Sequence, residues 1–214
     1  GMGAMTRPTP LRGYQGHINR NCVTIAEVLK QAGYATFMSG KWHLTEDKNK
    51  LVTGSKHNWP RQRGFDRFFG TIAGAGSFYT PQTLTLNNAP ITEFPEDFYY
   101  TTAIGEHGAQ FIREHGADEN DEPFFLYVPF TAPHWPLHAL ENDIKKYRGK
   151  YLKGWDAIRA ERHARQLKMG LVDQRWPISA RHERAPAWET LDKAKQKEMD
   201  ERMAIYAAMI DSMD

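Results

Sequence analysis

Cysteine is nearly absent from this sequence of 214 residues, which contains only Cys22. No intrachain disulfide can form, and a metal site made of several thiolates is excluded. Long apolar runs are also missing, since no stretch approaches the roughly 18 consecutive residues of a membrane-spanning helix. We therefore expect no membrane partner. The formal net charge of +2 excludes a strongly basic or strongly acidic protein.

The positive charge is concentrated in one region. Residues 145–184 contain 12 Lys or Arg against 4 Asp or Glu, with Tyr151, Trp155 and Trp176 among them. Two interpretations are open: a module that binds nucleic acid or another polyanion, and a solvated helical insertion whose aromatic residues are buried. We favour the second, because a run of charge is usually a solvated face. We accordingly expect no nucleic-acid partner.

The first regular elements predict an α/β architecture. Thr24 and Glu27 have the spacing of a capping box, which marks the start of a helix. The apolar stripe of this helix consists of Ile25, Val28 and Leu29. Gly33 stands where the helix would end, and residues 34–38 form a short strand-like run directly after it. A helix, a glycine stop and a strand in this order are typical of α/β proteins.

The middle of the chain predicts a hairpin, a helix and a strand. Asn87-Asn88 can turn a hairpin after residues 83–86. A helix is predicted over about residues 101–115, and its inner side consists of Ala103, Ile104, Gly108, Phe111 and Ile112. Residues 124–128 are apolar without alternation, as expected for a strand buried on both faces of a parallel sheet.

Two helices are predicted in the last third of the chain. The first is basic, covers about residues 155–169 and is stopped by Gly170. The second runs from about residue 188 to the end. Its apolar side is predicted to consist of Leu191, Met199, Met203, Tyr206, Ile210 and Met213.

Two loops that follow predicted strands contain residues suited to oxyanion chemistry. In open α/β sheets, ligands bind at the carboxyl ends of the strands. Lys41 and His43 are two apart in a segment expected to be extended, so their side chains should point the same way. His134 lies in a loop stiffened by prolines. An ammonium can offset charge on non-bridging oxygens, and imidazoles can donate or accept the proton that moves.

Each of these residues also has a structural interpretation. A lysine beside a glycine is usually a solvated surface residue, and a histidine between prolines is usually hydrogen-bonded for structural reasons. For His17 and His138 we adopt this structural interpretation. Pro136 prevents the helix that would align His134 with His138 as metal ligands, so a zinc site is set aside.

The segments around these loops resemble three landmarks of the sulfatase family. Residues 33–44, which include Gly40-Lys41-Trp42-His43, are similar to the second sulfatase signature. Trp59-Pro60 and the following residues 63–70 resemble the RGFD segment of these enzymes. Residues 123–127, leading into residues 132–137, look like the third landmark. The order and the separations also agree, and the resemblance is greatest to bacterial arylsulfatases.

This resemblance implies an alkaline-phosphatase-like α/β fold, with a mixed sheet flanked by helices. It also implies hydrolysis of a small-molecule sulfate ester by a formylglycine nucleophile, with calcium orienting the sulfate. By resemblance, Lys41 would contact the sulfate and the formylglycine. His43 would hydrogen-bond the hydrated aldehyde and act as the base in the elimination step, and His134 would donate to the bridging oxygen.

The sequence also departs from the family pattern. It has no C/S-x-P-x-R motif, from which formylglycine is made, and the residues after Cys22 do not fit that motif. The early Asp pair and the later Asp-Asn pair that hold calcium in the family are missing, as is a later active-site lysine. We therefore interpret residues 1–214 as an incomplete sulfatase catalytic domain that lacks metal ligands and is inactive alone, and we assign no cellular location.

A phosphonate or phosphate monoester hydrolase of the same superfamily is the alternative within enzymes. These relatives share much of the scaffold and differ in pocket charges that this chain contains only in part. Relative rates on an aryl sulfate and an aryl phosphate would separate the two. Oligomeric state and the alcohol portion of the substrate are not readable from the sequence.

Overall fold

The computed structural model describes residues 18–117 and 121–214, so His17 lies outside the described residues. The chain divides into two compact units, Gly1–Pro136 with Met213 and Leu137–Ser212 with Asp214, where the sequence suggested one partial domain. None of the helices in the described ranges combines the length and apolarity that a membrane crossing requires.

The first unit is built on a five-stranded mixed sheet. Its strands are β1 (Ala35–Ser39), β2 (Arg67–Thr71), β3 (Leu84–Leu86), β4 (Ala89–Pro90) and β5 (Phe124–Tyr127). Their order across the sheet is β4-β3-β2-β1-β5. β1 pairs in parallel with both β2 and β5, whereas β3 pairs antiparallel with β2 and β4. The carboxyl ends of β1, β2 and β5 therefore meet at one edge, as the sequence-based site requires.

Two helices flank this sheet and bury its central strand. Helix α1 (Ile25–Gln31) and helix α2 (Tyr100–Ala117) both contact β1, every residue of which is buried. Met38 joins a cluster that includes Ala26 of α1, whereas the adjacent Phe37 packs against Phe111 of α2, with ring centroids 5.9 Å apart. Because successive side chains of a strand point to opposite faces, the two helices cover the two sides of β1.

Several local predictions are confirmed. The Thr24 hydroxyl accepts a hydrogen bond from Glu27 N, and Thr24 N donates to the Glu27 carboxylate, which completes the capping box. Gly33 has φ of +82°, the left-handed conformation that ends helices. Asn87 has φ of +57° in the turn between β3 and β4, as a tight hairpin needs.

The apolar stripe of α1 is largely uncovered: Ile25 and Val28 are 61% and 51% exposed, and only Ala26 is fully buried. The inner side predicted for α2 is confirmed at Ala103, Ile104, Gly108 and Phe111, which are buried, and is wrong at Ile112, which is exposed. Helical periodicity identifies an apolar stripe, but it does not tell which part of the stripe another element covers.

Strand β5 was expected to be buried on both faces, and this expectation is also wrong. It forms an edge of the sheet, and Phe124 and Tyr127 are 41% and 46% exposed. A short apolar run predicts a strand, but it contains no signal for the number of neighbours that the strand has.

The second unit is helical. It contains α3 (Glu141–Ile144), α4 (Trp155–Lys168) and α5 (Lys193–Met213). Helix α4 is confirmed, with Gly170 at φ of +69° after its end. The last helix begins five residues later than predicted, because the Asp192 carboxylate caps it by accepting from Lys195 N at 2.7 Å.

The side of α5 that was predicted to be apolar is partly exposed. Met203, Tyr206 and Ile210 are exposed, whereas the buried residues of this helix are Asp200, Ala204, Ala208 and Met209. The Asp200 carboxylate is buried because it accepts hydrogen bonds from Gly149 N at 2.7 Å and Tyr151 N at 2.8 Å. A buried acid with two backbone donors is satisfied, and periodicity alone would not have identified it.

Acid should destabilise the first unit through Glu27, which accepts from Arg63 Nε at 2.8 Å. Burial acts to raise the pKa of Glu27, but hydrogen bonds from Arg63 and Thr24 hold it below its ordinary value of 4.5. A carboxylate with a lower pKa in the folded state stabilises the fold above the unfolded pKa, and the contribution is lost as pH falls through the folded pKa.

Urea unfolding measured from neutral pH downwards should therefore show a loss of stability that begins as pH approaches 4.5 from above. Glu27→Gln should reduce this dependence. An unchanged pH dependence in Glu27→Gln would show that other groups cause the loss.

Candidate active site

The loop after β1 lies between the ends of two other strands. Lys41 N donates to Pro129 O at 2.8 Å, which ties the loop to the segment after β5. Trp42 N donates to Thr71 O at 2.9 Å, at the end of β2. These backbone bonds place the loop containing Lys41 and His43 beside the segment that leads to His134.

Two glycines permit this close approach of strand ends. A Cβ on Gly70 would lie 1.7 Å from Gly40 O, and a Cβ on Gly40 would lie 2.2 Å from Pro129 O. Both glycines have positive φ, +137° at Gly40 and +156° at Gly70. Any side chain at either position would therefore force the strand ends apart.

The buried side chain of Trp42 anchors the loop. Its indole is buried and donates to Asn58 O at 2.8 Å. The Asn58 side chain is also buried, and its amide donates to Leu44 O at 2.6 Å. Asn58 thus binds the residues on both sides of His43, and its Oδ1 accepts from Arg63 at 2.8 Å.

The RGFD segment supports this anchor. Arg63 is only 6% exposed, and besides Glu27 and Asn58 it donates to Cys22 O at 2.9 Å. The Asp66 carboxylate accepts from Thr36 N at 3.0 Å, at the start of β1. Phe65 packs edge-on against Trp42.

Sequence reasoning used this segment only as a landmark and missed the roles of Asn58, Arg63 and Asp66. Their partners lie up to 41 residues away, so no local pattern could have identified them. Cys22 is partly buried, and its thiol donates to Asn19 O at 3.3 Å.

His43 is half-buried and has φ of +58°, so the backbone leaves the extended conformation that we expected there. Its ring packs against Gly74. A Cβ added at Gly74 would lie 2.1 Å from the imidazole, so a side chain there would displace the ring. Burial lowers the pKa of His43, and the positive charges of Lys41, Lys50 and His134 lower it further, against the effect of Asp47. The imidazole is therefore neutral at neutral pH and can accept a proton.

Lys41 is half-buried, and this burial lowers the pKa of its ammonium group. A partly desolvated cation interacts more strongly with an anion than a fully hydrated cation does. The position next to Gly40 therefore suits Lys41 to contact an oxyanion rather than to serve only as a solvated surface residue.

His134 is exposed, and its backbone is held by a hydrogen bond from His134 N to Thr131 O at 2.9 Å. Its Nδ1 lies 2.7 Å from Trp135 O. Because a carbonyl only accepts, Nδ1 must carry the proton. In the neutral ring Nε2 therefore has no proton, and it can donate to a leaving oxygen only when the ring is an imidazolium. His138 is half-buried within the second unit, and its structural role stays a prediction.

Among residues 18–117 and 121–214, no group of three or more His, Cys, Asp or Glu side chains is placed to hold a metal ion. At the candidate site Lys41 provides a cation, His43 a neutral imidazole and His134 an imidazole whose tautomer is fixed by Trp135 O.

Comparison with known proteins identifies the class to which this chain belongs. The family model described as Sulfatase matches residues 1–214. An arylsulfatase of Klebsiella aerogenes is 32% identical over 212 residues, covering 94% of this chain. An uncharacterized sulfatase of Schizosaccharomyces pombe is 31% identical over 220 residues, again covering 94% of this chain. The chain belongs to the sulfatase family.

The chain spans about two fifths of the length of these relatives, 43% of the Klebsiella protein and 37% of the Schizosaccharomyces protein. Among solved structures, yidJ from Bacteroides fragilis, described as a sulfatase candidate, matches with TM-score 0.57 at 18% identity, over 92% of this chain and 38% of that chain. Ps i-CgsB matches with TM-score 0.53 at 25% identity, over 68% of this chain and 34% of that chain. The fold is the alkaline-phosphatase-like α/β fold.

Asn58→Ala should change the position of His43 indirectly, through the lost hydrogen bond to the neighbouring Leu44 O. Removal of the amide takes the Asn58 donor from Leu44 O and Ile18 O and one of three acceptors from Arg63, so we expect a loss of about 1–3 kcal/mol in the free energy of unfolding. The NMR resonances of the His43 ring should shift as well. Asn49→Ala is the matched control, because Asn49 is also buried and its side chain accepts from Ser55 N. Equal shifts of the His43 ring in both variants would contradict the account.

Proposed function

We propose that this chain forms the sulfate-binding part of an arylsulfatase-type sulfuric ester hydrolase. The observation that supports it most directly is the backbone clamp that holds the Lys41–His43 loop against the segment leading to His134, in a chain of the sulfatase family. The name of the Klebsiella relative supports an aryl sulfate as the first substrate to test.

In this proposal the three side chains have separate tasks. Lys41 offsets the charge on the non-bridging sulfate oxygens, where a cation aimed at developing charge has its largest effect. His43, which its surroundings keep neutral, accepts a proton. His134 in its imidazolium form donates from Nε2 to the oxygen of the leaving alcohol.

The nucleophile and the metal belong to segments outside residues 1–214 in this proposal. The chain has no C/S-x-P-x-R motif from which formylglycine, the aldehyde whose hydrate would attack sulfur, could be made. Calcium stays a prediction for the longer protein. The 214 residues alone are therefore expected to have no turnover.

The test compares the chain with a longer protein that also contains such a motif. The chain alone should release no more alcohol from an aryl sulfate, with or without calcium, than its Lys41→Ala and His134→Ala variants. The longer protein should hydrolyse the sulfate. Faster hydrolysis of an aryl phosphate by the longer protein would instead identify a phosphate or phosphonate monoester hydrolase on the same fold.

A further inference from the structure

A separate groove lies within the second unit, between α4 and α5. It has a volume of about 190 Å³ and is lined by Tyr151, Trp155, Ile158, Trp188, Met199 and Met203, together with Arg159 and Arg162. An apolar cavity of about 150 Å³ accommodates benzene. The groove is somewhat larger, so it has room for a small ring system such as naphthalene but not for an extended chain.

The walls of the groove offer apolar ring faces. Trp155 and Trp188 pack edge to face, with centroids 4.9 Å apart. Their indole N–H groups are already used, since Trp155 donates to Pro186 O at 3.1 Å and Trp188 to Leu152 O at 3.1 Å. A ligand would therefore contact the ring faces and not the indole nitrogens, which favours an apolar or aromatic ring.

In the part of the chain that the structure describes, the two arginines that line the groove have no carboxylate partner, unlike five other cations of the basic region. Five cations of the basic region form ion pairs with carboxylates: Lys146, Arg148, Lys153, Arg175 and Arg181. Arg159 instead donates to the neutral Ser179 hydroxyl at 2.6 Å. Within the described ranges, neither Arg159 nor Arg162 has an acidic partner. Two uncompensated guanidinium groups beside apolar ring faces match a ligand with a ring and a negative charge.

We propose that this groove is a binding site for a ring-bearing organic anion, such as an aromatic sulfonate or sulfate. The ring lies against Tyr151, Trp155 and the two methionines, and the anionic group meets Arg159 and Arg162. This proposal goes beyond the proposed hydrolase function, because the groove lies in the second unit and involves neither Lys41 nor His43. An extended polyanion fits less well, since the groove, at about 190 Å³, has room only for a small ring system.

The probe is 2-naphthalenesulfonate, titrated into the full 214-residue chain while the Met199 and Met203 methyl resonances and the tryptophan fluorescence are followed. We expect both methyl groups to shift with one saturation curve. The uncharged alcohol with the same naphthalene ring and inorganic sulfate should each bind at least about tenfold more weakly, because a charge-assisted hydrogen bond and a buried ring both contribute.

Arg162→Gln should weaken the sulfonate about three- to tenfold. Arg175→Gln is the matched control, because Arg175 is an exposed arginine of the same unit that pairs with Asp173. The Arg175→Gln variant should bind the sulfonate as tightly as the wild type does. Lys41→Ala should also leave the affinity unchanged, which separates this site from the proposed hydrolase site.

Three results would overturn the proposal. Equal binding of the uncharged ring would remove the role of the arginines. An equal loss of affinity in Arg162→Gln and Arg175→Gln would reduce the effect to general charge. Displacement of the sulfonate by a short DNA duplex at moderate salt would favour a polyanion surface, since that binding depends steeply on salt.

Discussion

Replacement of Lys41 by methionine is expected to lower kcat for aryl sulfate hydrolysis by about 100- to 1,000-fold in the longer protein that supplies the nucleophile. Methionine keeps the length of the side chain and removes the cation. The half-buried ammonium next to Gly40 would otherwise offset charge that grows on the sulfate as the ester bond breaks. The measurement is steady-state release of the phenol at saturating substrate.

Lys50→Met is the matched control for Lys41. Lys50 also contributes positive charge at His43, but its ammonium is paired with Asp47 at 2.5 Å. We expect this variant to lose less than about threefold in kcat, because the Lys50 ammonium is already paired with the exposed Asp47 carboxylate. An equal loss of kcat in the two variants would show that kcat depends on the net charge near His43 and not on contact between Lys41 and the sulfate.

Arg63→Met is expected to destabilise the first unit by about 3–5 kcal/mol, as is usual when one partner of a buried ion pair is removed. Three acceptors lose their donor together: the Glu27 carboxylate, Asn58 Oδ1 and Cys22 O. The measurement is the urea midpoint and slope at neutral pH, followed by circular dichroism.

Arg61→Met controls for the loss of a positive charge in the same short helix, Pro60–Arg63, because Arg61 is exposed. It should change the free energy of unfolding by less than about 0.5 kcal/mol. If Arg63→Met cost no more than Arg61→Met, the RGFD segment would not support the Trp42–Asn58 anchor.

The parts of the fold that the sequence predicted are those with local signals. The capping box at Thr24, the left-handed Gly33 and the Asn87 turn each depend on residues within a few positions of one another. Lys41, His43 and His134 were proposed from their places after two predicted strands, and the resemblance to the sulfatase family connected these loops, which are about 90 residues apart. Their joint role stays a prediction.

The parts that were missed depend on contacts between distant residues. Asn58 holds Leu44 and Trp42 through its amide and its carbonyl, and a single asparagine in a loop gives no sign of that role. The position of β5 at the edge of the sheet and the exposure of Ile25 are likewise set by which elements lie beside them. Hydrophobic patterns determine that a face is apolar, but not what covers it.

The central claim is that Lys41, His43 and His134 bind one sulfate together. The most direct measurement is a titration of the histidine-labelled chain with sulfate, at constant ionic strength maintained with chloride, while the ring resonances are followed by NMR. We expect the His43 and His134 rings to respond with the same apparent Kd, and both responses to disappear in Lys41→Ala. Different Kd values for the two rings, or a response that survives in Lys41→Ala, would contradict it.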